Sequence, residues 1–285
     1  MRSNTVKARW ARGEVTYGGW LSIANPFTAE IMAHAGFDWL CIDMQHGVID
    51  YAAAVTMLQV IGATETIPFV RVPWNEPGII GKVLDAGAMG VIIPMVNSPE
   101  EAKAAVGACR YHPEGFRSYG PTRAAYYAGM DYFAGANREV ACIPMVETRQ
   151  ALERLDEILS VPGIDAVYVG PADLSITLGL PPRMDNEGAF EEARLRIARA
   201  CRERGVVAGI HGNASLAAKH AAAGFQMITV SGDAGALAAQ AAADLRLARG
   251  PAAPPPPPGA GNGERVPNPS AMPPGAGNGE RGAYG

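Results

Sequence analysis

The stretch His34-Ala-Gly36-Phe-Asp-Trp-Leu-Cys-Ile-Asp43-Met-Gln-His46 decides the fold. An Ala-rich amphipathic segment stops at Gly36, the residue best suited to a left-handed helix end. A short apolar run, Trp39–Asp43, follows and gives way to polar side chains. The same succession recurs along the chain. Further helix stops stand at Asp85-Ala-Gly87 and Ala222-Ala-Gly224, and the β-branched runs predict strands at Thr16–Ser22, Trp39–Asp43, Phe69–Val72, Gly90–Pro94, Ala141–Val146, Ala166–Val169, Val206–Ile210 and Met227–Val230. Helix starts carry their own chemistry in Asn75-Glu-Pro, Ser98-Pro-Glu-Glu and Asn213 before Ala214-Ser-Leu. These alternating units predict a closed (β/α)8 TIM barrel over residues 1–249, close to the roughly 250 residues such barrels need. An open doubly wound sheet is the alternative, but no G-x-G-x-x-G follows the first strand.

The bulk of the chain narrows the function. Its 285 residues are 48% hydrophobic and 18% charged, enough to bury a large core. A net charge of -4 from 28 acidic and 24 basic residues leaves no polybasic stripe for a nucleic acid or an anionic membrane. Met1–Val15 carries Arg2, Lys7, Arg9 and Arg12 but no apolar run of signal-peptide length, and no membrane-spanning run follows. The expectation is a cytoplasmic protein. Cys41, Cys109, Cys142 and Cys201 are isolated and read as buried free thiols. From residue 250 to 285 the composition turns to Pro, Gly, Ala and Asn, with five prolines at Pro254–Pro258 and a duplicated Pro-Pro-Gly-Ala-Gly-Asn-Gly-Glu-Arg ending at Arg265 and Arg281. So few apolar groups predict a disordered tail.

Chemistry in such a barrel sits where strands end. The polar residues there are Asp43 and His46 after strand two, Arg71 on strand three, Glu147 after strand five, and Gly170-Pro-Ala-Asp173 after strand six. Glu147 and Asp173 could converge on one hard cation and leave positions for water and substrate oxygens. Each could equally cap the helix it precedes. An all-oxygen set without paired thiolates or His-x-x-x-His suits Mg, Mn or Co better than structural Zn. Arg71 wants an anionic partner, and His46 can serve as a base or as a loop hydrogen-bonder. The N–H groups of Ala172 and Asp173 open a helix and can hold a carboxylate. Together these parts suit the enolisation of a 2-oxo acid.

Gly19-Trp20, Ile42-Asp-Met-Gln-His-Gly47, Val70-Arg-Val-Pro73, Leu84-Asp-Ala-Gly-Ala88, Gly115-Phe-Arg-Ser118, Pro144-Met-Val-Glu147 and Val169-Gly-Pro-Ala-Asp-Leu174 occur in order. With them the chain, over about residues 15 to 245, resembles the HpcH/HpaI aldolase family. The resemblance implies a barrel of the phosphoenolpyruvate/pyruvate superfamily, built as a homohexamer, a trimer of dimers that exchange a terminal helix. It implies a metal-dependent aldolase joining pyruvate or hydroxypyruvate to an aldehyde, with Mg, Mn or Co, or else Zn or Ni, as cofactor. Glu147 and Asp173 would be the metal ligands, and Gly170, Pro171 and Ala172 would cradle the substrate carboxylate. Arg71 would stabilise the enolate and His46 would be the base, supported by Asp43 and by Asp85, the latter from across a subunit contact. Met145 stands where aldolases of 4-hydroxy-2-oxoheptanedioate resemble one another in having Gln. Trp20 and Ile210 or His211 line up with the aldehyde pocket.

Three rivals have their own signatures. A Schiff-base aldolase needs a lysine at a strand end, whereas Lys7, Lys82, Lys103 and Lys219 lie in the N-terminal arm and in predicted helices. A macrophomate synthase-like enzyme would form the same enolate by decarboxylating oxaloacetate. A non-catalytic scaffold would use the Pro-rich tail to bind a partner.

Overall fold

A computed structural model describes residues 1–250, where eight strands lie parallel in one sheet. They are β1 (Thr16–Leu21), β2 (Trp39–Asp43), β3 (Ile67–Arg71), β4 (Gly90–Ile93), β5 (Ala141–Pro144), β6 (Ala166–Val169), β7 (Val207–Ile210) and β8 (Met227–Gly232). Neighbours follow the order β5-β4-β3-β2-β1-β8-β7-β6, so β1 pairs with both β2 and β8. At the remaining seam the chain changes partner. Met145 N–H still donates to Ile93 of β4 (2.7 Å), while Val146 N–H donates to Tyr168 of β6 (2.9 Å), and a single parallel bridge joins Met145 to Tyr168. That switch ends β5 at Pro144, two residues before its expected end, and nearly closes the barrel.

The helix signals resolve into local geometry. Gly36, Gly87 and Gly224 all adopt positive φ (93°, 105° and 102°), as their helix-stop positions require. Ser98 caps the helix Pro99–Cys109 by accepting from Glu101 N–H at 3.1 Å. A feature without a strong sequence signal is the helix Thr5–Ala11, capped by Asn4. Its Val6 and Trp10, one turn apart, join the core inside the barrel, and Trp10 Nε1 donates to Thr16 Oγ1 at 2.8 Å.

Strand periodicity sorts the core into two layers. Leu40, Ile42, Val70, Val91, Ile93 and Cys142 face the helices. Trp39, Cys41, Phe69, Ile92, Ile143 and Tyr168 fill the interior. Continuing the inward parity to the strand ends selects Trp20, Asp43, Arg71, Met145 and His211. The chain divides into units 1–242 and 243–285, with the boundary inside the final helix, Asp233–Arg249. The Pro/Gly-rich tail lies, apart from Gly250, outside the described residues. Among the described residues no helix is long and apolar enough to cross a membrane.

Gly18 occupies an inward position where a Cβ would overlap the indole of Trp39, whose side chain is wholly buried and stacked on Phe69 (5.8 Å between centroids). Because the ring has no room to move, Gly18→Ala is expected to destabilise the barrel by about 1–3 kcal/mol. Urea unfolding measures this, and a loss below about 0.5 kcal/mol would mean that the interior yields.

Candidate active site

At the C-terminal ends of the strands a cavity of about 300 Å³ brings together most residues singled out above: Trp20, Asp43, His46, Arg71, Met145, Glu147 and the run Gly170 to Asp173. Ser22, Tyr168, Met184 and His211 complete its wall. Of these, Ser22, Tyr168 and Met184 escaped sequence reasoning; inward parity on β6 is the signal that could have found Tyr168. Asp85 is not in the cavity of its own chain. Its carboxylate pairs with Arg117 at 2.7 Å beside a separate pocket that includes Gly78, Lys82 and Phe116.

Arg71 finds its anionic partner inside the protein. Asp43 and Arg71 are direct register partners across β2 and β3. Arg71 Nε and Nη2 donate to the two Asp43 oxygens at 2.9 and 2.6 Å, the bidentate fork that guanidinium geometry favours. Asp43 also accepts from Trp20 Nε1 at 3.0 Å and from the backbone N–H groups of Gln45 (3.0 Å) and His46 (3.2 Å). Burial pushes the Asp43 carboxyl up, but the Arg71 fork and the other donors outweigh it, so its pKa lies below the ordinary aspartate value. Arg71 responds in the opposite sense: burial lowers its pKa, the bonds to Asp43 raise it, and the net is upward. Both groups stay charged. The guanidinium also lies 4.9 Å from the Trp20 ring centroid, and its bonds to Asp43 use Nε and Nη2 but not Nη1.

Glu147 and Asp173 are not caps. Thr148 caps the helix Arg149–Glu153 by accepting from Ala151 N–H at 3.0 Å, and Gly170 takes the N-cap position of the helix Pro171–Thr177. Glu147, 2% exposed, instead accepts from Met95 N–H at 2.8 Å. Met95 is the one non-glycine residue with positive φ (56°) among the described residues. Its left-handed backbone costs roughly 1–2 kcal/mol, and in that conformation its amide serves the carboxylate. The other Glu147 oxygen lies so close to Gly170 that a Cβ there would overlap it. No Lys or Arg pairs with Glu147 among the described residues. Burial, with the negative charge of Asp173 adding to it against the Met95 bond and Arg71, raises the Glu147 carboxyl to about 7.

In the helix Pro171–Thr177 the first ladder bond runs from Leu174 N–H to Gly170 O at 3.0 Å, so the N–H groups of Ala172 and Asp173 precede the ladder. Among the described residues no group of three or more His, Cys, Asp or Glu side chains is arranged to hold a metal. A cation at Glu147 and Asp173 therefore needs water and substrate oxygens to fill its shell. No lysine lines the cavity; Lys7 and Lys219 are engaged elsewhere by Asp165 and Asp185.

A nearly closed parallel barrel whose mouth gathers an acidic pair, an arginine and two histidines defines the class: a (β/α)8-barrel enzyme. Within that class the chain belongs to the HpcH/HpaI aldolase/citrate lyase family, whose model matches residues 16–240. It is 41% identical over 243 residues to the hydroxypyruvate/pyruvate aldolase of Rhizorhabdus wittichii, covering 84% of this chain and 96% of that one. With the 4-hydroxy-2-oxo-heptane-1,7-dioate aldolase of Salmonella paratyphi B it shares 37% identity over 257 residues, 86% of this chain and 97% of the relative. Among solved structures, an HpcH/HpaI aldolase/citrate lyase family protein from Burkholderia cenocepacia superposes with a TM-score of 0.82 at 35% identity, covering 87% of this chain and all 100% of the other.

The Glu147 shift has a consequence for stability. Its folded pKa, about 7, stands above the ordinary value of 4.5. The folded state thus holds the proton more tightly, and stability falls as pH rises between those two values. Metal-free protein is expected to melt at a lower temperature at pH 7.5 than at pH 5, and Glu147→Gln is expected to remove most of that slope. An equal slope in both proteins, followed by thermal unfolding across pH, would assign it to other groups.

Proposed function

We propose that the chain is a divalent-metal-dependent aldolase that reversibly adds pyruvate, or a related 2-oxo acid such as hydroxypyruvate, to an aldehyde. The observation that carries this reading is a buried carboxylate, Glu147, with no basic partner among the described residues and a second carboxylate, Asp173, whose charge adds to the cost of ionising it. A cation bound near them would stabilise both carboxylates in ionised form, so the residues present fit a metal. Oxygen donors favour Mg, Mn or Co over Zn or Ni. A divalent cation there supplies Lewis-acid polarisation to a 2-oxo acid.

The chain's own residues do the rest. The N–H groups of Ala172 and Asp173, behind Gly170 and Pro171, receive the substrate carboxylate. Arg71, locked by Asp43 at Nε and Nη2, offers Nη1 to the charge that develops on the keto oxygen. His46, its backbone fixed by Asp43, takes a proton from C3 of the 2-oxo acid, and a proton returns to the aldehyde oxygen as the new carbon–carbon bond forms. Asp85 would support His46 only if supplied by a second copy, as in the proposed trimer-of-dimers hexamer. Met145 and Trp20 shape the pocket for the aldehyde. Four free cysteines, all buried, suit the cytoplasm.

Chelation is expected to abolish aldol activity, and Mg, Mn or Co to restore it; full turnover by metal-free enzyme would overturn the reading. Since a proton on Glu147 competes with the cation, metal affinity is expected to rise with pH until about 7 and then level off, as titration calorimetry would register. Arg71→Ala is expected to lower kcat by about 10² to 10³. Near-normal turnover in that variant would remove Arg71 from the chemistry.

A further inference from the structure

Ser22, Tyr168 and His211 are the polar residues of the cavity wall that the chemistry above leaves unused. His211, half-buried just after β7, lines the cavity with its ring edge-on to Trp20, centroids 4.8 Å apart at 84°. Its Nδ1 lies 3.3 Å from Tyr168 Oη, which in turn lies 2.5 Å from Thr229 Oγ1. Tyr168 and Thr229 are buried, so β6, β8 and the residue after β7 join in a hydrogen-bonded row that ends in the imidazole. Burial, with the Arg71 charge adding to it, pushes His211 down to about 4, and the ring is neutral at physiological pH.

A neutral imidazole has one N–H and one lone pair. With Nδ1 committed to Tyr168, Nε2 is the nitrogen left. Among the described residues no protein group bonds it, and it is not sealed away as both unpartnered nitrogens of His220 are. Two proton arrangements satisfy the row. If Thr229 donates to Tyr168 and Tyr168 to Nδ1, Nε2 carries the hydrogen; if the donors run the other way, Nε2 presents its lone pair. A hydroxyl answers either arrangement because it donates and accepts. A methyl answers neither. A carboxylate answers only the first and gains no charge attraction from a neutral ring.

We propose that His211 Nε2, held in place by Tyr168 and Thr229, is the specificity-determining contact for a substrate hydroxyl, so that hydroxylated substrates are taken in preference to their deoxy counterparts. The proposal rests on the aldolase reading of the cavity and names a residue and a substrate class within it. The hydroxyl can belong to either reactant, a 3-hydroxy-2-oxo acid or a 2-hydroxyaldehyde.

Matched pairs test it: hydroxypyruvate against pyruvate with one aldehyde, and glycolaldehyde against acetaldehyde with pyruvate. In His211→Phe the ratio of kcat/KM, hydroxylated over deoxy, is expected to fall by about tenfold or more in one pair, as loss of a hydrogen-bonding partner predicts. The pair that responds identifies the reactant. Tyr168→Phe, which keeps the imidazole but frees it to turn, is expected to lower the same ratio by a smaller factor, and His211→Gln to recover part of the loss. Should Tyr168→Phe fail to fold, His211→Phe decides alone. Ratios unmoved in both pairs overturn the proposal, because a merely structural residue lowers both members together. Deuterium uptake into the pyruvate methyl without aldehyde separates the two levels. Its absence together with absence of aldol turnover in the unaltered enzyme overturns the aldolase reading, and turnover with unmoved ratios overturns only the role of His211.

Discussion

The Asp43 carboxylate is the fixed point of the barrel mouth. Five donors converge on it: two from Arg71, one from Trp20 and the backbone N–H groups of Gln45 and His46. They come from β1, β3 and the loop after β2, so one buried charge ties three strand ends and the His46 loop into a single geometry. Burying such an ion pair contributes little net stability, but removing one partner strands the other charge at roughly 3–5 kcal/mol. The interaction is better understood as specification. It fixes the Arg71 rotamer and the path of the His46 loop before any ligand arrives, which is the preorganisation that electrostatic catalysis requires.

That fixed point is useful only on a rigid floor. The barrel interior provides one, with Trp39, Phe69 and Trp10 forming an aromatic column that the helix Thr5–Ala11 completes from the N-terminal end of the strands. Gly18 and Gly90, where a side chain would strike Trp39 or Phe69, make the room the column occupies. A close-packed interior of this kind transmits register without slack. The inward positions at the mouth are therefore set by the floor beneath them, and the loops can carry chemistry without also carrying the fold.

Much of this was legible in the sequence. The strands fall within one or two residues of the positions their β-branched runs predict, and the Gly stops at 36, 87 and 224 hold the left-handed backbone their placement implies. The gathering of His46, Arg71, Glu147 and Asp173 follows from strand ends alone. What a single sequence could not supply is cross-strand register. Asp43 faces Arg71 because β2 and β3 pair with those two residues opposed, and no local pattern encodes that pairing. The row from His211 to Thr229 depends likewise on the pairing of β6, β7 and β8. The ambiguity between cap and ligand at Glu147 and Asp173 was also irreducible from spacing. It is the side chain of Thr148 and the backbone of Gly170, taking the cap positions themselves, that leave the two carboxylates uncommitted.

The two buried carboxylates of the cavity carry the argument further, because they are the same functional group with opposite fates. Asp43 and Glu147 are about equally buried, at 2% exposure each. Asp43 is surrounded by donors, two of them on a guanidinium, and is held below its ordinary pKa. Glu147 has one backbone N–H and a repelling neighbour, and is raised to about 7. Desolvation alone would treat them alike, so the difference is made by what the fold places around each. Such divergence between like groups marks a division of labour. Asp43 is satisfied by the protein and can only organise, whereas Glu147 is left with an unmet demand for positive charge. The left-handed Met95, whose amide holds one Glu147 oxygen, shows that the chain bends an unfavourable backbone to keep that carboxylate in place without neutralising it. A carboxylate pinned this firmly, with no basic partner among the described residues, is the feature on which the proposed cation site rests.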